Sequence, residues 1–212
     1  MDANFWHQVW QQDQLGFQLA EAHPLLKAQL AALPADGAVL VPLCGKSPDL
    51  HLLAQQYRVV GAELSQIACR DFFTEAQLPV SQRDFGVFTL WQAAQYQLWQ
   101  GDFFELPSTA VSGCQLIYDR AALVALPPDM RQRYAQTLKQ LLPQATLLLI
   151  SLEYPEHEKQ GPPFSVSSAE ISQLFDFADI NLCGIRNLTG QGFARRKFET
   201  SSLVEKGWLI RW

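Results

Sequence analysis

The fold is decided by the stretch from Ala38 to Glu63, which reads AVLVPLCGKSPDLHLLAQQYRVVGAE. Ala38 to Leu43 is a short apolar run that ends at Cys44-Gly45, which predicts a buried strand and a turn. Ser47-Pro48 then predicts the start of a helix, with Ser47 as N-cap and Pro48 at the first helical position. A second apolar run, Arg58 to Ala62, ends at Glu63. The stretch therefore predicts a strand, a helix and a second strand.

Segments with the hydrophobic pattern of strands and segments with that of helices continue to alternate on both sides of this unit. Apolar runs predict further strands, and they lie at Tyr96 to Gln100, Cys114 to Tyr118, Ala145 to Leu152, Ile180 to Ile185 and Leu203 to Ile210. Helical spacing predicts helices over Phe5 to Trp10, Leu25 to Leu33, Gln66 to Ala76 with Ser65 as cap, Pro127-Pro128 to Leu141, and after Ser167, which has capping-box spacing to Glu170. Phe85 to Leu90 is predicted to form an extra hairpin arm. Strands that alternate with helices predict an α/β fold, in which a mainly parallel sheet carries helices on both faces.

Composition restricts the classes of function. The 212 residues are 48% hydrophobic, which is enough for one substantial core and predicts a single domain over 1–212. The net charge of −5 argues against nucleic acid or an anionic membrane as partner. Ala145 to Leu152 is far shorter than the roughly 18 apolar residues that cross a bilayer. With Asp2 and no Lys or Arg before Lys27, the start does not resemble a secretory signal, so we expect a cytoplasmic protein and, by default, a monomer.

The four cysteines predict neither a metal site nor a disulfide framework. Cys44, Cys69, Cys114 and Cys183 are widely separated and form no CxxC or CxxH pair. We expect buried free thiols and no metal.

The predicted topology places the ligand site at the strand ends. The loop VPLCGKSPDL lacks both GxGxxG and the P-loop lysine-serine spacing, which removes the main support for a dinucleotide or a nucleoside triphosphate. Glu63 nevertheless lies twenty residues after Leu43, about where an acid reaches a ribose diol. Glu63 could therefore bind an adenosine-containing ligand. The alternatives are that it is a solvated turn residue or the cap of the next helix.

Several ordered motifs carry a more specific resemblance. VPLCGKSPDL, RVVGAELS, GDFFELP, IYDRAALVALPP and GPPF occur in that order, after Trp10, Gly16-Phe17 and His23-Pro24-Leu25-Leu26. Together they resemble the thiopurine S-methyltransferase family from about residue 5 to residue 180. The resemblance implies a seven-stranded class I methyltransferase sheet of the Rossmann-like type, with N-terminal helices over the cofactor site. It implies S-adenosylmethionine as cofactor, S-adenosylhomocysteine as product and a small thiol as substrate.

The resemblance also implies roles for individual residues. Cofactor contacts are implied for Trp10, Leu43, Glu63, Asp102, Phe103 and Arg120, and Gly45 would let the backbone approach the cofactor closely. Phe17 would lie at the substrate. Arg120 is the first candidate for a catalytic cation that stabilises the acceptor anion, and the family's substrate-side arginine falls near Arg195 and Arg196.

Each residue has a structural alternative. Trp10 and Phe17 have the spacing of core aromatics, Asp119 and Arg120 could form an ion pair, and Asp102 could cap a turn. His23 is expected to be a hydrogen-bonded structural residue, and the Gly161 to Phe164 loop is either a substrate wall or a stiff connector. Arg195-Arg196-Lys197 could be an exposed basic turn.

Three functions follow from these features. The first is S-methylation of small aromatic or heterocyclic thiols, which needs alignment of the nucleophile with an activated methyl group rather than an acid-base triad. The second is methylation of selenium or tellurium oxyanions. The third is a module that binds S-adenosylmethionine without turnover.

Overall fold

A computed structural model describes residues 3–191, 194–195 and 197–212. In this part of the chain nine strands form one sheet in the order β3-β4-β5-β2-β1-β6-β7-β9-β8. The strands are β1 (Ala38–Pro42), β2 (Arg58–Glu63), β3 (Ser81–Phe85), β4 (Phe88–Ala93), β5 (Tyr96–Gln100), β6 (Cys114–Arg120), β7 (Thr146–Glu153), β8 (Asp179–Asn187) and β9 (Val204–Arg211). The α-helices are α1 (Ala3–Gln11), α2 (Pro24–Gln29), α3 (Asp49–Leu53), α4 (Gln66–Glu75), α5 (Pro128–Leu141) and α6 (Ser168–Leu174).

The predicted mainly parallel α/β sheet is confirmed. β5, β2, β1, β6 and β7 pair in parallel, and every residue of β1 is buried, as its apolar sequence predicts. β2 lies on one side of β1 and β6 on the other. The chain therefore changes direction at β1, and the carboxyl ends of β1 and β6 open a crevice where α/β sheets bind ligands.

Helices cover both faces, as the sequence predicts. Side chains of β1 alternate between two core clusters: Leu40 packs with α5 and α6, whereas Val39 and Val41 pack with α2, α3 and α4. α1 belongs to a third, small cluster that contains Val9 and Trp10. The N-terminal helix is therefore attached to the body of the protein by a separate and smaller apolar contact.

The predicted number of seven strands is wrong, because β3 and β4 are additional. Phe85 to Leu90, predicted as one arm, contains the turn of a hairpin in which Phe85 pairs with Phe88 and Gly86 has a φ of 62°. All five residues of β3 are exposed. An edge strand without a buried face has no apolar alternation, and its sequence therefore carried no strand signal.

Two helix starts were predicted correctly and one was displaced. The hydroxyls of Ser65 and Ser167 accept from the N–H groups of Ala68 and Glu170, as expected for N-caps. α3 begins at Asp49 instead of Pro48, and the Ser47 hydroxyl accepts from the Asp49 N–H at 3.2 Å. The predicted Leu25 to Leu33 helix divides into α2 and a 3-10 turn over Leu30–Ala32.

Among the described helices, none has the length and apolar character required of a membrane-spanning segment. The four thiols are free; Cys44, Cys69 and Cys114 are buried and Cys183 is half-buried.

Candidate functional site

A cavity lies at the carboxyl ends of β1, β2 and β6. About 650 Å³ of empty space lies between its walls, and part of this space is open to solvent. Its lining comes from the N-terminal segment, the loops after β1, β2 and β6, and the loop after β7. The lining residues are Trp6, Trp10, Phe17, Leu43, Gly45, Glu63, Leu64, Ala121, Ala125, Pro162 and Pro163.

Glu63, the last residue of β2, supplies the carboxylate of this wall. Its Oε2 accepts from the Gly45 N–H at 2.8 Å and its Oε1 accepts from the Ser65 N–H at 2.7 Å. The side chain is therefore fixed between two loops. The two carboxylate oxygens together offer about four acceptor positions, so Glu63 keeps acceptor capacity for a ligand in the cavity.

Burial controls the protonation of Glu63. It raises the pKa of Glu63 to about 7, although the N–H groups of Ser65, Gly45 and Leu64 act in the opposite direction. Near neutral pH the carboxyl is consequently divided between its protonated and ionised forms. A ligand that donates hydrogen bonds to Glu63 favours the ionised form.

The loop after β1 turns sharply below the cavity. Leu43 has a φ of 48° and Gly45 a φ of 54°, and a positive φ is uncommon for leucine. A Cβ on Gly45 would lie 3.3 Å from Cζ2 of Trp10. Glycine at this position thus permits the turn and lets the indole ring lie close to the loop.

Aromatic rings form a roof over the cavity. Trp6 and Trp10 on α1 each lie 5.9 Å from the ring of Phe17 in an edge-to-face arrangement. The Gln18 side-chain amide donates to the Lys46 carbonyl at 2.9 Å, which ties this segment to the β1 loop. The faces of such rings attract cations, including ligand cations.

Two prolines form the opposite wall. Pro162 and Pro163 lie in the loop after β7, where the Pro163 carbonyl accepts from the Tyr154 hydroxyl at 2.7 Å. The next residue, Phe164, donates its N–H to the Val124 carbonyl at 2.7 Å. Both hydrogen bonds hold the loop against the body of the protein.

The cavity wall thus brings together five of the residues singled out from the sequence, namely Trp10, Phe17, Leu43, Gly45 and Glu63. Asp102 and Phe103 do not line it. Asp102 caps a 3-10 turn by accepting from the Phe104 N–H at 3.0 Å, and the buried Phe103 ring packs 5.4 Å from that of Tyr134.

The arginines are placed beside the cavity rather than on its wall. Arg120 is the half-buried last residue of β6, directly before Ala121, which lines the cavity. Arg195 is exposed and donates its backbone N–H to the Gly16 carbonyl at 3.1 Å, next to the roof segment. Arg196 lies outside the described residues.

Asp119 is committed to the turn after β6. Its carboxylate accepts from the Tyr134 hydroxyl at 2.7 Å and from the Ala122 N–H at 3.0 Å. Burial raises the pKa of Asp119 to about 6 against these hydrogen bonds, which lower it. This carboxylate therefore shapes the turn that carries Ala121 and Ala125.

Sequence reasoning missed part of the wall. Trp6 had a usable signal, since it stands four residues before Trp10 on the same helix face. Ala121 adopts a φ of 75°, which is unusual for alanine and has no signature in the sequence. Leu64 and Ala125 are ordinary apolar residues and carried no signal.

The chain resembles known proteins throughout its length. The family described as Thiopurine S-methyltransferase (TPMT) matches residues 1–210. The Thiopurine S-methyltransferase of Pseudomonas entomophila (strain L48) is 47% identical, with 99% of both chains covered, and that of Shewanella sp. (strain MR-4) is 41% identical over 100% of this chain and 99% of its own. A solved SAM-dependent methyltransferase from Anabaena variabilis ATCC 29413 has a TM-score of 0.69 at 15% identity and covers 99% of this chain and 94% of its own, which shows the shared fold.

Proposed function

The chain belongs to the thiopurine S-methyltransferase family, and we propose that it methylates the sulfur of small aromatic and heterocyclic thiols in the cavity roofed by α1. It is an S-adenosylmethionine-dependent methyltransferase, for which S-adenosylhomocysteine would be the cofactor product.

The Glu63 carboxylate is the observation that carries the proposal. It reaches the cavity at the end of β2 with both oxygens fixed and with acceptor capacity left, which suits the two hydroxyls of a ribose. The turn at Leu43 and Gly45 lies in the same wall and would hold the methionine part of the cofactor beside the Trp10 ring. When bound, the cofactor supplies an activated methyl group on a sulfonium sulfur, and Trp10 would face that positive charge.

The remaining lining suits a flat apolar acceptor. Phe17, Trp6, Pro162 and Pro163 present apolar surfaces that would orient an aromatic thiol and exclude water from the reacting atoms. An aromatic thiol is partly ionised near neutral pH, so no residue has to remove its proton. Arg120 would supply the cation that stabilises the thiolate from the end of β6.

The same lining argues against the second function. A selenium or tellurium oxyanion needs several hydrogen-bonding partners on the wall itself, whereas the described lining is almost wholly apolar and its one ionisable side chain, Glu63, is an acid. The aromatic roof and the proline wall therefore favour the thiol.

Calorimetric titration and a transfer assay test the proposal together. S-adenosylmethionine and S-adenosylhomocysteine should both bind, and radiolabelled methyl groups should appear on aromatic thiols but not on selenite or tellurite. Transfer to the oxyanions alone would support metalloid methylation. Binding without transfer to either class would support the module without turnover.

The proposal further includes a single domain and a monomeric, cytoplasmic enzyme without nucleic-acid or membrane partners. Size-exclusion chromatography with light scattering and cell fractionation test these points. A dimer or a membrane-associated pool would contradict them.

A further inference from the structure

A buried polar cluster lies on the face of the sheet covered by α2 and α3. It contains His23, Asp49, Tyr118 and Glu205, which are all at most 2% exposed. Such groups are retained in a protein interior only when their hydrogen bonds are satisfied. The cavity wall does not use any of the four, so the cluster needs a separate explanation.

Glu205, on β9, is held from two sides. Nε2 of His23 lies 3.1 Å from both carboxylate oxygens, and Nη1 of Arg186 lies 2.5 Å from Oε2. Nδ1 of His23 accepts from the Leu25 N–H at 3.2 Å, so the ring proton is on Nε2 and is donated to Glu205. The carboxylate therefore has a fixed position.

The cluster extends to β6 through Asp49. One carboxylate oxygen of Asp49 accepts from the Tyr118 hydroxyl at 2.9 Å, and the other accepts from the His23 backbone N–H at 2.6 Å. Tyr118 stands two residues before Arg120 on β6, so both side chains leave the strand on the same face.

Strand register brings Arg120 and Glu205 to one region of that face. Arg120 pairs with Ile150 on β7, and Ile150 pairs with Gly207 on β9. Gly207 is two residues from Glu205 on the same strand. β6 and β9 are about 10 Å apart across the sheet. Over this distance the charge of Arg120 acts on Glu205, whose carboxylate oxygens are in direct contact with His23 and Arg186. Tyr118 and Leu209 pack in the same core cluster, which fixes the face on which Glu205 lies.

The electrostatics agree with this placement. Burial raises the pKa of Glu205, but the hydrogen bond from His23 and the guanidinium charges of Arg186 and Arg120 outweigh burial and hold the pKa below its ordinary value. Glu205 is consequently ionised at neutral pH and attracts the Arg120 guanidinium.

We propose that Glu205, held by His23 and Arg186, is a positioning residue for Arg120 and keeps its guanidinium at the end of β6, beside the cavity. The inference rests on the proposed function, because that function supplies the thiolate that the positioned Arg120 guanidinium would stabilise. An arginine on a flexible stem needs such an anchor to meet an acceptor in one geometry.

The test is a double-mutant cycle between Glu205→Gln and Arg120→Ala. Glu205→Gln keeps the size of the side chain and removes its charge. We expect kcat/KM for an aromatic thiol to fall about 10- to 100-fold, as misplacement of a catalytic group does, while the Kd for S-adenosylhomocysteine changes by less than about twofold. In the Arg120→Ala background the same substitution should change kcat/KM by less than about twofold, since its effect acts through Arg120.

The matched control is Glu153→Gln on the neighbouring strand β7. Glu153 also pairs with a cation, at 2.5 Å from Nζ of Lys206, but has no part in the cavity or in the buried cluster. This variant should keep the kcat/KM of the wild type. Glu205→Asp, which retains the charge on a shorter stem, should recover part of the loss.

If Glu205→Gln lowers kcat/KM by the same factor with and without Arg120, the positioning role is overturned and the proposed function stands. If the wild type transfers no methyl group to thiols, both are overturned. If the Glu205 variants do not fold, side-chain 15N spectra of the wild type decide. The Arg120 guanidinium signal is identified by its loss in Arg120→Lys. We expect restricted rotation of this guanidinium, and free rotation would overturn the proposal.

Discussion

The backbone N–H of Gly45 donates to the Glu63 carboxylate across 2.8 Å and joins the loop after β1 to the end of β2. A second N–H, from Ser65, fixes the other oxygen at 2.7 Å. The carboxylate that would bind the cofactor is therefore oriented before any ligand arrives. Such preorganisation lowers the cost of binding.

Glu63→Ala is expected to weaken the binding of S-adenosylhomocysteine by about 1.5–3 kcal/mol, the value of hydrogen bonds to a charged group. Isothermal titration calorimetry at pH 8 measures this loss, and circular dichroism checks the fold. Asp84→Asn, which removes an exposed carboxylate on β3 at the far edge of the sheet, is the control and should bind normally. Unchanged affinity in Glu63→Ala would remove Glu63 from the site.

Cofactor affinity should also depend on pH. With the pKa of Glu63 raised to about 7 by burial, only the ionised fraction accepts both ribose hydrogen bonds. The Kd for S-adenosylhomocysteine should therefore fall about tenfold between pH 6 and pH 8, in proportion to the competent fraction. Glu63→Gln should remove most of this dependence, and an equal slope in that variant would contradict the assignment.

The stability of the free protein should change in the opposite direction. A carboxyl group whose pKa is raised on folding stabilises the protein while it is protonated, so the contribution of Glu63 is complete below its ordinary pKa of 4.5 and is lost as the pH rises to about 7. The loss is on the order of 3 kcal/mol in the free energy of unfolding. Urea unfolding at pH 5 and pH 7.5 should show a smaller decrease for Glu63→Gln than for the wild type, and parallel decreases would contradict the shift.

Phe17→Ala should reduce thiol turnover more than cofactor affinity, because Phe17 faces the cavity from the roof. We expect a higher KM for the thiol and an S-adenosylhomocysteine Kd close to that of the wild type. Phe85→Ala, at a half-exposed ring on the β3–β4 hairpin, is the control. A lower thermal midpoint with unchanged kinetics would assign Phe17 to the core instead.

The central part of the fold and of the site could be predicted from the sequence because its signals are local. β1 and β2 are continuous apolar runs, and Glu63 stands where the second run ends, so strand, loop and acid follow from neighbouring residues. The ordered motifs also predict that Trp10 and Phe17, which form part of the aromatic roof, lie at the site.

The remainder depends on tertiary contacts that local patterns do not record. β3 has no buried face and hence no apolar period, and Ala121 takes its positive φ from the turn that Asp119 and Tyr134 hold. The face on which Arg120 lies depends on strand register with β7 and β9. The partnership of His23 with Glu205 joins residues at opposite ends of the chain, beyond the reach of sequence spacing.

A crystal structure with S-adenosylhomocysteine tests the central claim most directly. We predict that the ribose hydroxyls lie within hydrogen-bond distance of the two Glu63 oxygens, with the cofactor sulfur facing Phe17 and the Pro162-Pro163 wall. Density for the ligand away from Glu63, or a cavity that stays empty at saturating ligand, would contradict the account.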